Sequence, residues 1–167
     1  CAQSEGPIFY SKNAQGPKWS PTIFNPSFKD NLYFVYRGNK QDSRKAIQYY
    51  NSLKPIDNGI ILSISDITNE ISTTTNLKEF EFLIGAHEKI IAQTLDLKPV
   101  KDELFSNYWG EVKSLGAWGG DFLLVSSDRP AKETKKYFLD KGHDVFIPYR
   151  DLILGATQDD STNAIFH

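Results

Sequence analysis

The period of the apolar positions changes along the chain, and each change predicts a different kind of element. Residues 1–31 carry turn formers (Gly6, Pro7, Gly16, Pro17, Pro21, Pro26) around short apolar stretches at 8–10 and 23–24, a pattern of short strands joined by turns. Leu32–Tyr36, dense in β-branched and aromatic residues, predicts the best strand of the first half. A polar loop over 37–42 follows, and Asp42 or Ser43 can cap a helix carrying Ala46, Ile47, Tyr50 and Leu53 on one face. Pro55 ends it. Ile60, Ile64, Ile67 and Ile71, at spacings of four, three and four, predict a second helix. The run Thr73, Thr74, Thr75 and Asn76 breaks that stripe and offers Thr75 or Asn76 as the next cap. A third helix, from Leu77 to about Leu95, would bury Phe80, Leu83 or Ile84, His87, Ile91 and Leu95. A short helix is expected over 103–109, after Pro99.

The last third changes character. Residues 112–115 read as a short strand, Gly116 to Gly120 as a tight loop and 121–126 as a second strand. Pro130 opens a helix through Tyr137 and Phe138, closed by Gly142 in a left-handed cap position. A final strand covers 145–147, with Pro148 at its end. Strands, then helices, then strand, strand, helix and strand predict an α+β domain with a mainly antiparallel sheet covered by helices on one face. The strands at 32–36, 112–115, 121–126 and 145–147 should share that sheet, and the helices containing Ile64, His87 and Phe138 should cover it. One domain over 1–154 and a polar tail over 155–167 complete the expectation; no repeat or internal boundary is visible.

Composition narrows the function more than the fold. The chain has 167 residues, Lys+Arg 19 against Asp+Glu 21, a net charge of -2 and 40% hydrophobic residues. That describes a globular domain able to bury roughly 70% of its unfolded surface. The near-neutral charge argues against a nucleic-acid partner, and no apolar run approaches the roughly 18–20 residues that span a bilayer. A single cysteine, Cys1, and three scattered histidines (His87, His143, His167) predict neither an internal disulfide nor a metal site. The chain contains no methionine, and Cys1 admits three origins. It is an amidase-type nucleophile using its own α-amine, a lipid-modified anchor, or simply the point at which a piece of a longer protein begins. The strand-like Ile8, Phe9 and Tyr10 leave little polar tether for an anchor, so the last origin is the expected one.

Two loops could carry chemistry. Three glycines between two strands, Gly116, Gly119 and Gly120, permit positive φ and let backbone N–H groups approach a ligand; the same residues also suit a plain tight turn. The strand–loop–helix setting of a Rossmann or Walker phosphate loop is missing. Lys40 and Arg44 lie about a helical turn apart at a helix start, where backbone N–H groups and Ser43 could hold a phosphate or carboxylate; a solvated helix start is the alternative. His87, on an apolar face, reads as a core histidine, Asp121 as a strand start, and Asp159 and Asp160 as solvated.

Lys113, Ser114, Leu115, Gly116, Ala117, Trp118, Gly119, Gly120 and Asp121 resemble the C-terminal Lys-x-Thr-Gly-Ala-Gly-x-Gly-Gly motif of the galactokinase, homoserine, mevalonate and phosphomevalonate (GHMP) kinase superfamily. The strand at 32–36 followed by Lys40, Gln41, Asp42, Ser43 and Arg44 resembles the family's strand and Lys-x-Ser-Thr-type helix start. His87 and Glu88 through Leu95, with Leu97, Lys98 and Pro99, resemble the helix before the motif. The resemblance spans about residues 1–154 and is closest to the mevalonate and phosphomevalonate branch, including relatives with a Gly-Tyr-Asp-Ile-Ala signature, just after which Cys1 would fall. It departs where Leu115 replaces the usual Thr and Trp118 stands in a usually small position.

The resemblance implies a ferredoxin-like, substrate-side C-terminal domain of a cytoplasmic small-molecule kinase. The whole enzyme would transfer phosphate from ATP, with Mg²⁺, to a hydroxyl or phosphate of a mevalonate-like metabolite. The ATP loop and catalytic Asp of the family would lie ahead of Cys1, on an N-terminal kinase half, so no catalytic or metal residue is expected in this chain and the chain alone should be inactive. The implied acceptor-binding residues are Lys40, Ser43, Arg44, Gly116, Ala117, Trp118, Gly119 and Gly120. The alternative is a non-catalytic α+β ligand-binding or structural domain, lipid-anchored or processed at Cys1.

Overall fold

The structure, a computed structural model, describes residues 6–13, 15–38, 43–53, 55–116 and 120–153. Strands β1 (Ile8–Asn13) and β2 (Gly16–Pro21) form a two-stranded hairpin. After a one-turn 3-10 helix at Lys29–Asn31 come β3 (Leu32–Tyr36), helices α1 (Ser43–Ser52), α2 (Asn58–Thr73), α3 (Leu77–Thr94) and α4 (Val100–Leu104), then β4 (Val112–Ser114), β5 (Phe122–Ser126), α5 (Ala131–Asp140), β6 (Phe146–Pro148) and α6 (Tyr149–Leu152).

The four strands expected to share a sheet do so. Their order is β4-β5-β3-β6 and every neighbouring pair is antiparallel, with Val35 opposite Leu123 and Phe146, and Lys113 opposite Leu124. The connectivity is strand, helices, strand, strand, helix, strand, the order of the split βαβ arrangement. The fold class is α+β.

One-sided cover was the expectation, and the sheet is covered on both faces. Tyr33, Val35, Val112, Leu123 and Val125 point to one side, where Val100, Phe105, Tyr108 and Phe138 of α5 meet them. Leu32 and Phe34 point to the other, against Phe80 and Ile84 of α3, Phe28 and Tyr149. The reason lies in β3 itself: Leu32, Tyr33, Phe34 and Val35 are all buried, and a strand with no polar alternation has two faces to hide. Each fully buried side chain of this kind contributes roughly 1.5–3 kcal/mol.

Three further expectations are corrected. Helix α2 does not cover the sheet. It packs mainly on α3, none of its residues is fully buried, and of its isoleucine stripe Ile71 alone is partly buried against the core beneath the sheet. The helix expected over 103–109 lies earlier, at Val100–Leu104, because Pro99 has the φ of -53° that starts a helix. Phe105 and Tyr108 then turn inward, joined by Tyr108 N–H donating to the Phe105 carbonyl at 2.9 Å. The second stretch of the N-terminal region is a strand at Gly16–Pro21 and not at 23–24; Ile23 is exposed, while Phe24 packs near Phe80 and Tyr149. Asn76 caps α3 by accepting from the Lys78 and Glu79 N–H groups, and Gly142 has the expected positive φ after α5. The polar tail over 155–167 lies outside the described residues.

Candidate functional site

One end of the sheet gathers both described ends of the glycine loop and the start of the other loop singled out in the sequence. At the exit of β3, the Arg37 N–H donates to the Asp121 carbonyl at 2.8 Å, and the Tyr36 N–H donates to the Val145 carbonyl at 3.1 Å. At the exit of β4, the Leu115 N–H donates to the Phe122 carbonyl at 3.0 Å. Gly38, Gly116 and Gly120 therefore stand at the same end of the sheet. His143 shares that end, near Tyr36 and Arg37, and burial holds its imidazole below the usual histidine range.

Two of the glycines are required by geometry. Gly116 has a φ of +76°, a left-handed conformation that L side chains rarely adopt. At Gly120, a Cβ would lie 1.7 Å from the Leu115 carbonyl oxygen, so only hydrogen fits and the two arms of the loop press together. Gly120 is buried; Gly116 is exposed. Ser43 opens α1, and Arg44 lies exposed in its first turn. Lys40, Ala117, Trp118 and Gly119 fall outside the described residues.

Beside this loop lies a polar cluster that the sequence reading missed. Glu88 of α3, 2% exposed, receives the Lys113 Nζ at 3.4 Å and the Ser114 backbone N–H at 3.3 Å. The same Lys113 Nζ lies 3.1 Å from His87 Nδ1, which accepts from the ammonium. Burial lowers the Lys113 pKa, opposed by the Glu88 carboxylate. Burial, and then the Lys113 charge, lower His87 to about 4, so the imidazole is neutral at pH 7. The cluster thus clamps β4 to α3 two residues before Gly116. His87, expected on the buried stripe, is only half-buried, and Glu88 takes the core position. The signal was available: Phe80, Ile84, Glu88 and Ala92 form an i, i+4 series, with an acid at its third place.

The opposite end of the sheet is held by a different network. Tyr108 Oη donates to the Ser126 carbonyl at 2.7 Å, Trp109 Nε1 to Ser127 Oγ at 2.9 Å and Ser126 Oγ to Glu81 Oε1 at 2.8 Å. Among the described residues there is no group of three or more His, Cys, Asp or Glu placed to hold a metal ion, and no helix long and apolar enough to cross a membrane.

These features define an α+β domain with an antiparallel sheet, a glycine loop at one sheet end and a partly buried Glu–Lys–His cluster behind it. Among solved structures the fold recurs in a Lin0012 protein from Listeria innocua, with a TM-score of 0.61 over 79% of this chain at 15% sequence identity. The match covers 41% of that protein, so the chain spans about two fifths of its length. At that identity the likeness is one of fold. No protein-family model matches the chain, and no curated protein does.

Proposed function

We propose that the chain is the substrate-side portion of a GHMP-type small-molecule kinase. The longer polypeptide would transfer the γ-phosphoryl of ATP, with Mg²⁺, to a hydroxyl or phosphate of a small metabolite. The observation that carries this reading is the glycine loop, whose Gly120 tolerates no side chain and whose Gly116 is left-handed. It sits at the sheet end where β3 leads toward Lys40, Ser43 and Arg44. Such a loop offers backbone N–H groups to an anion, and the neighbouring segment offers cationic donors. Phosphoryl transfer depends mainly on positioning and charge stabilisation, so a rigid frame for the acceptor is a catalytic contribution in itself. The fold likeness to a chain nearly twice as long fits a domain that works as part of something larger.

Replacing Arg44 by Ala in the longer polypeptide should weaken acceptor binding by about 1.5–3 kcal/mol, if Arg44 makes a charge-assisted bond. Steady-state kinetics with varied acceptor reads this as a raised KM. An unchanged KM removes Arg44 from the site.

A non-catalytic ligand-binding domain is the second reading. It draws on an apolar cavity of about 290 Å³ between α1, α2 and α3, lined by Tyr50, Ile60, Ile64, Ile91 and Leu95.

A further inference from the structure

Helix α2 packs on α3, whereas α1 stands back from both, with its Ile47 56% and its Tyr50 52% exposed. A hydrogen bond ties α1 across the gap: Tyr49 Oη donates to the Leu95 carbonyl, at the end of α3, at 2.7 Å. Between the three helices lies the cavity of about 290 Å³, and its walls are branched aliphatic. Ile56, Ile60 and Ile64 come from α2 and the turn before it, Ile91 and Leu95 from α3 and its cap. Among the described residues no charged side chain lines it. Its two aliphatic hydroxyls are turned into their own helices, Ser65 Oγ donating to the Ile61 carbonyl at 2.8 Å and Thr94 Oγ1 to the Ile90 carbonyl at 2.7 Å. Both donors are used within the chain, so what these walls offer a guest is apolar contact.

We propose that this cavity binds a small uncharged hydrocarbon group, the size of two fused rings or of a chain of about ten carbons. Volume sets the size. An apolar cavity of roughly 150 Å³ stays dry and takes up one benzene, and this one is nearly twice as large. Lining sets the class: a charged or strongly hydrogen-bonding guest would give up its water here without finding a partner in isoleucine and leucine walls. Tyr50 and Ile61, both half-exposed, also line the cavity, so a guest can enter without unfolding of the helices. The inference rests on the reading of this cavity as a ligand site and is independent of phosphoryl transfer.

The test uses the 167-residue chain with naphthalene, followed by its fluorescence, and with naphthalenedisulfonate as a charged guest built on the same rings. Naphthalene should bind saturably and raise the Tm by about 2 °C or more, and the disulfonate should do neither. Ile64→Trp places a ring in the same space. It should weaken naphthalene binding by roughly tenfold or more, while the Tm of the free chain holds or rises. Ile91→Phe makes the same comparison if Ile64→Trp does not fold. Phe82→Ser, at an exposed position of α3 outside the cavity, should leave uptake unchanged. No saturable uptake of naphthalene overturns the proposal. So does uptake that survives the filling variants, or that Phe82→Ser removes, because the guest would then sit on the surface. Uptake of the disulfonate alone, lost in Ile64→Trp, would keep the ligand-binding reading and sink this inference. Naphthalene uptake lost in Ile64→Trp, together with acceptor-dependent ATP turnover by the longer polypeptide, would leave this inference standing and sink the non-catalytic reading.

Discussion

The four-stranded sheet and the N-terminal hairpin are both antiparallel and both carry aromatic residues, yet they are opposites in burial. In β3, Leu32 and Val35 are completely inaccessible, and Tyr33 and Phe34 nearly so. In β1 and β2 the aromatic pair Tyr10 and Trp19 stands in solvent. The backbone pairing is regular in both, so backbone hydrogen bonding does not distinguish them. Net stabilisation by each such bond is about 1 kcal/mol, and ordering each residue costs about as much. What separates the two regions is apolar cover, supplied on both sides of the sheet, while no described residue of the hairpin is buried.

The largest effect should come from removing that cover. Phe138, fully buried against Phe105 and Tyr108, is the main contribution of α5 to one face. Phe138→Ala should cost about 3–5 kcal/mol in denaturant or thermal unfolding. A loss under about 1 kcal/mol would mean that α5 is dispensable and the two-sided picture wrong.

Next in size is the clamp between α3 and β4. Glu88→Ala leaves Lys113 in a buried site without its counter-charge and the Ser114 N–H without its acceptor. About 3 kcal/mol should be lost, since one partner of a buried pair is removed and the other stays. Its neighbour His87 adds a pH dependence whose sign is fixed by its lowered pKa of about 4. The unfolded imidazole, with a pKa near 6.5, binds a proton that the native one refuses. The contribution is therefore fully present above about pH 6.5 and is lost as pH falls toward 4. Unfolding midpoints measured across that window should decline, and His87→Ala should flatten the part of the slope that this residue causes. An identical slope in the variant would show that His87 is not the group responsible.

These residues also mark how far the sequence alone reaches. The four strands of the sheet were legible because each is short, apolar and bounded by turn formers. Two-sided cover was legible too, in the unbroken run Leu32, Tyr33, Phe34 and Val35, but only if the lack of alternation is weighed above the number of helices. The place of α2 was not legible, since an isoleucine stripe fits a sheet or another helix equally well. Glu88 was hidden by its neighbour: an acid beside a histidine on a helix suggests that the histidine faces inward, and the Lys113 ammonium that makes a buried carboxylate tolerable comes from a strand 25 residues away. The candidate loops were legible as glycine and lysine signals, and the sheet register brings the exit of β3 beside both described ends of the glycine loop.

The smallest effect should be in the hairpin. Tyr10→Ser in the 167-residue chain removes an exposed cross-strand partner of Trp19, and global stability should fall by less than about 1 kcal/mol. A larger loss, seen in the same unfolding experiment as Phe138→Ala, would mean that the hairpin already has cover within this chain.

The central claim, that the sheet end with the glycine loop is the acceptor side of a larger phosphoryl-transfer unit, is tested most directly by ATP turnover. Radiolabelled ATP is followed with a panel of small hydroxyl and phosphomonoester acceptors, using the 167-residue chain and the longer polypeptide at matched concentrations. The account predicts acceptor-dependent turnover by the longer polypeptide and none by the 167-residue chain. Turnover by the 167-residue chain that scales with its concentration and survives repurification would contradict it, as would a longer polypeptide that turns over ATP with no acceptor in the panel.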